Sequence, residues 1–259
     1  YYSTTNRRLG CFDLEKEEKV WEQTYEAGCD RSSITPDGEK LYVPTGWWYA
    51  GEDSGVLVVN KPQSLRDANE KMFTAWFRHC CAPTLVARDA ERFKRFLKEQ
   101  GEIILKPLDG MGGRSIFRVK VGDPNLNVIL ETMTCNGGRF IMAQRYLPEI
   151  RTGDKRILVI DGEPVPFALA RIPAEGETRG NLAAGGRAEG RPLNERDIWL
   201  AGQIGPVLKE RGLIFVGLDV IGDYVTEINV TSPTCIQELD ALFDLNISGQ
   251  LLDCIENYL

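Results

Sequence analysis

The stretch Ile103-Ile104-Leu105-Lys106-Pro107-Leu108-Asp109-Gly110-Met111-Gly112-Gly113 constrains this chain more than any other. An apolar run of strand type delivers a lysine, and glycines follow whose missing side chains let backbone N–H groups approach an anion. No Gly-Lys-Ser/Thr follows, which excludes a Walker loop. The pattern predicts a second strand over residues 115–119, where a dinucleotide-binding unit needs a helix. A glycine-rich hairpin without a ligand is the plain alternative. Lys106 argues against it, because an ammonium at the end of an apolar strand wants an anion.

Bulk properties narrow the chemistry. The chain has a single histidine, His79, so Ser-His or Cys-His hydrolase chemistry has little to work with. Its seven cysteines are irregularly spaced and form no Cys-x-x-Cys pair, a pattern of reduced thiols in a cytoplasmic setting rather than a disulfide framework. The net charge of −7 gives no general attraction for nucleic acid or anionic membranes. No apolar run approaches the ~20 residues that span a bilayer.

Further clusters follow the glycine loop. Gln144-Arg145-Tyr146-Leu147 ends a strand over residues 140–144. Asp154-Lys155-Arg156 opens the next strand, and Arg171 closes the one after, across an Asp161-Gly162 turn. Basic strand ends beside a phosphate loop can clamp a polyphosphate or an acyl phosphate; a solvated strand end is the alternative. Asp219, Glu227 and Asn229 lie on consecutive strands. Glu227 and Asn229 are two apart, so their oxygens share a face. Such oxygen donors suit Mg²⁺ with room left for water and phosphate. A two-residue turn would set Asp219 opposite Thr226, so the metal reading asks for a three-residue loop at 222–224. An ordinary polar hairpin face is the alternative. The glycine-rich stretch 173–187 reads as a lid or a surface loop, with Arg179 and Arg187 able to reach an anion.

The grammar changes near residue 55. Residues 1–54 read as short strands and turns, with a hairpin across Pro36-Asp37-Gly38. Ile34-Thr35-Pro36-Asp37-Gly38 followed by Leu41-Tyr42-Val43 resembles a blade of a YVTN-type β-propeller, although no second copy is present. After Gly55 strands and helices alternate: a strand at 56–60, a helix at 64–77, and a long helix at 195–211, among others. The expected organisation is a β segment over 1–54 and one α+β unit over 55–259, with residues 56–60 pairing as part of the β region.

The order of lysine plus glycine loop, glutamine-bearing hinge and Asp/Glu/Asn face resembles ATP-grasp ligases. Within them the similarity to bacterial glutathione synthetase is long. It runs from Val59-Asn60-Lys61-Pro62 through Asn69-Glu70-Lys71, the glycine loop, Gly153-Asp154-Lys155-Arg156 and Glu177-Thr178-Arg179-Gly180-Asn181 to Glu227-Ile228-Asn229-Val230-Thr231-Ser232-Pro233-Thr234. The resemblance implies an α+β ATP-grasp core, two α/β subdomains clasping ATP, with residues 1–54 standing where the family carries a complete α/β domain. It implies that Lys71 and Lys106 contact phosphates, that Gly110, Met111, Gly112 and Gly113 cover them, and that Gln144, Arg145, Tyr146, Leu147 and Asp154 hold adenine and ribose. Asp219, Glu227 and Asn229 would bind Mg²⁺ or Mn²⁺. Arg156, Arg171, Arg179 and Arg187 would stabilise an acyl phosphate and the dipeptide, with Asn229, Ser232 and Thr234 beside the dipeptide. The implied reaction joins γ-glutamylcysteine and glycine at the expense of ATP. The alternatives are another acid and amine pair, or a nucleotide-binding core without turnover. The implied partners are these small molecules, with neither nucleic acid nor membrane among them. Self-association is open, because the family's N-terminal domain supplies much of the subunit contact.

Overall fold

Two antiparallel sheets face a common cleft, and each has helices on its outer side. They are seen in a computed structural model that describes residues 58–110, 112–174, 176 and 185–258, together with the backbone of five short strands near the N-terminus. The first sheet has four strands in the order β6-β9-β7-β8: β6 (Thr84–Ala87), β7 (Glu102–Pro107), β8 (Phe117–Lys120) and β9 (Ile141–Arg145). Helices α2 (Ala90–Gln100) and α3 (Leu126–Thr134) bury Phe93, Leu97, Leu130 and Met133 against its Ile103, Leu105 and Val119. Asp89 caps α2 by accepting from Glu91 N, as an aspartate before an apolar periodic run should.

The second sheet has five strands in the order β12-β11-β10-β13-β14: β10 (Asp154–Ile160), β11 (Glu163–Ile172), β12 (Arg187–Pro192), β13 (Phe215–Ile221) and β14 (Tyr224–Asn229). Alternation along β10 and β13 sends Ile157, Val159, Val216, Leu218 and Val220 to one face, under α4 (Glu195–Glu210). Leu158 and Leu169 go to the other, where α5 (Ile236–Phe243) and α6 (Ile247–Glu256) cover one end. The uncovered part of that face belongs to the cleft.

Residues 64–77 keep helical apolar spacing but form two pieces. Helix α1 (Pro62–Asp67) stops, and a 3₁₀ segment, Met72–Cys80, begins after four residues. Asn69 Oδ1 accepts from the N–H groups of Lys71 and Met72, and the Glu70 carbonyl accepts from Ile228 N on β14 (2.9 Å). A long-range ladder bond has overridden local periodicity. The expected strand at 56–60 is also absent in its described part. Val58 and Val59 are irregular, and Asn60 makes one bridge, to Leu213, while its amide bonds Phe215 and Val230. Residue 60 is thus fastened to the second sheet.

Near the N-terminus, β1 (Tyr2–Thr4), β2 (Arg8–Asp13) and β3 (Glu18–Thr24) pair antiparallel in that order. β4 (Ser33–Ile34) and β5 (Leu41–Tyr42) pair separately, around the foreseen hairpin whose Pro36-Asp37-Gly38 tip lies outside the described residues. Antiparallel strands are as expected, but a propeller blade is one four-stranded sheet, which these ladders do not form. Among the described residues no helix is long and apolar enough to cross a membrane, and Cys80, Cys81, Cys135, Cys235 and Cys254 are free thiols.

Helix α4 contains two glycines with opposite prospects. A β-carbon on Gly205 would run into the Gly162 carbonyl at the β10–β11 turn, whereas one on Gly202 would meet nothing within 4 Å. Gly205→Ala should therefore lower unfolding free energy by ~1–3 kcal/mol through overpacking. Gly202→Ala should raise it by ~0.5–1 kcal/mol through helix propensity. Urea unfolding of both variants checks the opposed signs; equal shifts would contradict this packing.

Candidate active site

Alternation and register assemble the site before any ligand is considered. On the cleft face of the five-stranded sheet, β10 presents Asp154 and Arg156. Across the ladders Arg171 stands opposite Asp154, Asp219 opposite Arg156, and Glu227 opposite Asp219. The charges then pair. Arg156 Nε donates to Asp219 Oδ1 at 2.6 Å, and Arg171 reaches Asp219 Oδ2 at 3.0 Å and Asp154 Oδ2 at 2.6 Å. Asn229, opposite Gly217, continues the same face.

Bringing Glu227 opposite Asp219 takes a bulge. The turn has two residues, with Ile221 opposite Tyr224 and Val220 opposite Val225, and the register then shifts by one so that Thr226 is the extra residue. The three-residue loop expected from sequence is therefore wrong, while the register it was meant to produce is right. Val225 and Ile228, three apart, are both buried on the α4 side, which an unbulged strand could not arrange. The Thr226 carbonyl, displaced by the bulge, accepts from Lys106 Nζ at 3.1 Å.

That bond joins the two sheets. Lys106, on β7, also donates to Gln144 Oε1 (3.1 Å), whose amide is tied to Thr84 Oγ1. Burial pushes the Lys106 ammonium pKa down, Lys71 adds to the fall, and Glu227 opposes it. Lys71 Nζ donates to the Gly110 carbonyl (2.5 Å) and to Glu227 Oε1 (2.7 Å). Gly112 and Gly113 both hold positive φ, +65° and +73°, which leaves their loop free to turn its amides without a side-chain penalty.

The resulting cleft is about 470 Å³. Lys71, Lys106, Gly110, Gly112, Gly113, Gln144, Arg145, Tyr146, Leu147 and Asp154 all line it. So do Arg156, Arg171, Asp219, Glu227, Asn229, Ser232 and Thr234. The structure brings these sequence-derived residues together. Met111 and Arg179 lie outside the described residues. Arg187 is not brought in: at the start of β12 it is largely exposed and pairs with Glu189 at 3.2 Å. His79 is also elsewhere, edge-on to Trp199 and bonded to Gln203.

Sequence reasoning missed the apolar walls Ile104, Ile116, Ile150 and Ile221, and the polar residues Glu70, Arg114, Cys235 and Glu238. Strand alternation carried a signal for two of them, since Ile104 is two residues from Lys106 and Ile221 two from Asp219. Tyr146, held under the Arg118 guanidinium at 3.8 Å, forms with Leu147, Ile150 and Ile104 an apolar slot beside the lysines.

The carboxylates diverge in acidity. Burial opposes ionisation of Asp219, but Arg156 and Arg171 outweigh it and hold its pKa well below the usual range. For Asp154 burial prevails over Arg171, with Asp219 adding to the rise, and its pKa is pushed up to about 7. Asp154 Oδ1 is buried without a hydrogen-bond partner, a further reason for it to hold a proton.

Asp219, Glu227 and Asn229 offer hard oxygen atoms on one sheet face. Among the described residues no three His, Cys, Asp or Glu side chains converge, so any divalent cation here takes few protein donors. That is the donor set Mg²⁺ favours when water and phosphate complete its shell.

Two antiparallel sheets facing across a cleft, with buried lysines and a glycine loop on one side and a carboxylate row on the other, define the ATP-grasp class. The solved ATP-grasp ligase PsnB, complexed with a phosphomimetic variant of minimal precursor, Mg and ADP, shares this fold. Its TM-score is 0.57 at 23% identity, covering 80% of this chain and 64% of that one. The family model for the prokaryotic glutathione synthetase ATP-grasp domain matches residues 70–244, and this chain belongs to that family. It is 66% identical over 208 residues to glutathione synthetase of Pseudomonas syringae pv. tomato, covering 80% of this chain and 65% of the relative. It is 58% identical over 250 residues to that of Vibrio cholerae serotype O1, covering 96% and 78%. The chain thus spans about two thirds to three quarters of these relatives' length. An alignment over 96% of the chain takes in most of residues 1–54, so the propeller resemblance of that segment is not supported.

The Asp154 shift sets a pH dependence. Between its unfolded value near 4 and its folded value of about 7, the native state keeps a proton that the unfolded chain has lost. Stability must therefore fall as pH rises through that window. The depressed Asp219 acts elsewhere, losing its contribution only in stronger acid. Asp154→Asn should gain stability relative to the parent as pH goes from about 5 to about 7.5, by urea unfolding at each pH. A difference independent of pH would contradict the assignment.

Proposed function

We propose that this chain is an ATP-dependent carboxylate–amine ligase of the glutathione synthetase type, joining γ-glutamylcysteine and glycine with cleavage of ATP to ADP and phosphate. The observation that carries it is the cleft itself: buried Lys106, with neutral partners only among the described residues, faces a row of paired carboxylates and guanidiniums on a family-matched fold. The apolar slot at Tyr146 and Leu147 suits adenine, with Asp154 near the ribose. Lys71, Lys106 and the 110–113 loop suit the polyphosphate. Mg²⁺ or Mn²⁺ held by Asp219, Glu227 and Asn229 would neutralise charge on the phosphate oxygens.

In this reading the substrate carboxylate attacks the γ-phosphate of ATP, forming an acyl phosphate and releasing ADP. The glycine amine then attacks the acyl carbon, and phosphate leaves. Arg156 and Arg171 stabilise charge on the acyl phosphate, with Arg179 as a further candidate, and Asn229, Ser232 and Thr234 hold the dipeptide. Catalysis of this kind rests on positioning and charge neutralisation, which preorganised lysines and arginines supply. Small molecules are the partners, and a cytoplasmic location fits reduced cysteines and an intracellular supply of ATP.

The alternative is a core that binds nucleotide without ligase turnover. Phosphate release that requires both γ-glutamylcysteine and glycine, at ~1 per second or more, excludes it. Lys106→Ala and Glu227→Ala should each weaken Mg–ATP binding by roughly tenfold or more in titration calorimetry. Equal affinity in parent and variants would sink the site assignment.

A further inference from the structure

The loop carrying Ser232 and Thr234 is fastened by a carboxylate to which the reading above gives no part. Glu70 follows the break after α1. Its carbonyl accepts from Ile228 N, adding a rung to β14. Its Oε1 accepts from Val230 N (3.1 Å), Thr231 Oγ1 (3.0 Å) and Thr231 N (3.4 Å). One carboxylate oxygen gathers these donors where β14 ends and the cleft loop begins. Hydrogen bonds to an ionised acceptor are roughly twice as strong as neutral ones, and here they absorb the charge of Glu70 at the edge of a site meant for anions. The flanking residues grip other walls: Asn69 Nδ2 donates to the Leu108 carbonyl (3.1 Å), and Lys71 holds Gly110 and Glu227. The helix break at residues 68–71 therefore frees consecutive side chains to hold the glycine loop, the 230–231 corner and the carboxylate face.

We propose that Glu70 is a positioning residue for the acid substrate. By fixing Val230 and Thr231 it presents Ser232 and Thr234 to the substrate carboxylates. This rests on the proposed function, in which those residues meet the dipeptide. A purely structural role would disturb nucleotide and dipeptide together, whereas the hydrogen bonds of Glu70 concentrate on the dipeptide side.

The test measures calorimetric affinities of Mg²⁺ with a non-hydrolysable ATP analogue, and of γ-glutamylcysteine added to that complex, alongside kcat and KM. Glu70→Ala should weaken dipeptide binding and raise its KM by roughly tenfold, with nucleotide affinity within about twofold of the parent. Glu70→Gln keeps an acceptor oxygen and should recover part of the loss. Unchanged dipeptide affinity in Glu70→Ala overturns the proposal. So does a parallel loss of nucleotide affinity that Glu70→Gln fails to rescue. Should Glu70→Ala not fold, Thr231→Ala removes one donor from the same oxygen and should shift dipeptide affinity in the same direction; no shift there overturns it equally. A parent that binds nucleotide but no dipeptide fails the functional reading before any variant is made, and the proposal falls with it.

Discussion

Charge buried on a sheet face must be matched across strands, and in this fold that requirement sets the register of the five-stranded sheet. Arg156 and Asp219 are each almost wholly buried. Leaving either unpaired would cost about 3–5 kcal/mol. A one-residue slip of β13 against β10 would do so, and would also turn Leu218 and Val220 from the α4 core into the cleft. The bulge at Thr226 satisfies both demands on β14. It keeps Val225 and Ile228 in the core while setting Glu227 opposite Asp219.

The same accounting of charge explains how the two sheets hold together around a polar cleft. Asp219 and Asp154 are served by Arg156 and Arg171, and Glu227 by Lys71. Among the described residues, Lys106 alone in this group is buried without a carboxylate at ion-pair distance. It is held by a side-chain amide and by the carbonyl that the bulge supplies. Its lowered pKa expresses that shortage of negative charge. A polyphosphate is the kind of ligand that makes good the shortage, at the junction between the sheets.

How much of this was legible in the sequence depended on whether the deciding interaction was local. The lysine and glycine loop was legible, because strand, lysine and glycines are consecutive. The shared face of Glu227 and Asn229 was legible from their spacing. The break at residues 68–71 was not: Leu65, Ala68, Met72, Ala75 and Trp76 keep helical spacing across it, and the bond from Ile228 N that favours the break comes from more than 150 residues away. The bulge was hidden likewise, since the Gly222-Asp223 turn specifies one register and the packing of Val225 and Ile228 another. Strand β12 was missed because its first residue closes a glycine-rich stretch that reads as loop. The blade resemblance shows the opposite risk: a proline-aspartate-glycine turn between apolar pairs specifies a hairpin and nothing about the sheet that receives it.

The cleft charges are also fixed from behind. Helix α4 opens with a capping box in which Asn194 Oδ1 accepts from Asp197 N and Asp197 Oδ2 accepts from Asn194 N. The remaining oxygen of Asp197 is bound by Lys155 Nζ, so the start of β10 is tied to the start of the helix. At the far end of β10 the Gly162 turn lies directly against Gly205 of the same helix. Strand β10 is thus held at both ends on its rear face, and Arg156 on its front face inherits that rigidity. A guanidinium placed this way does not have to be ordered when charge develops before it, so in the proposed reaction its interaction with an anionic intermediate would not be spent on reorganisation. The helix that looks furthest from the cleft is, by this chain of contacts, what holds the cleft charges in register.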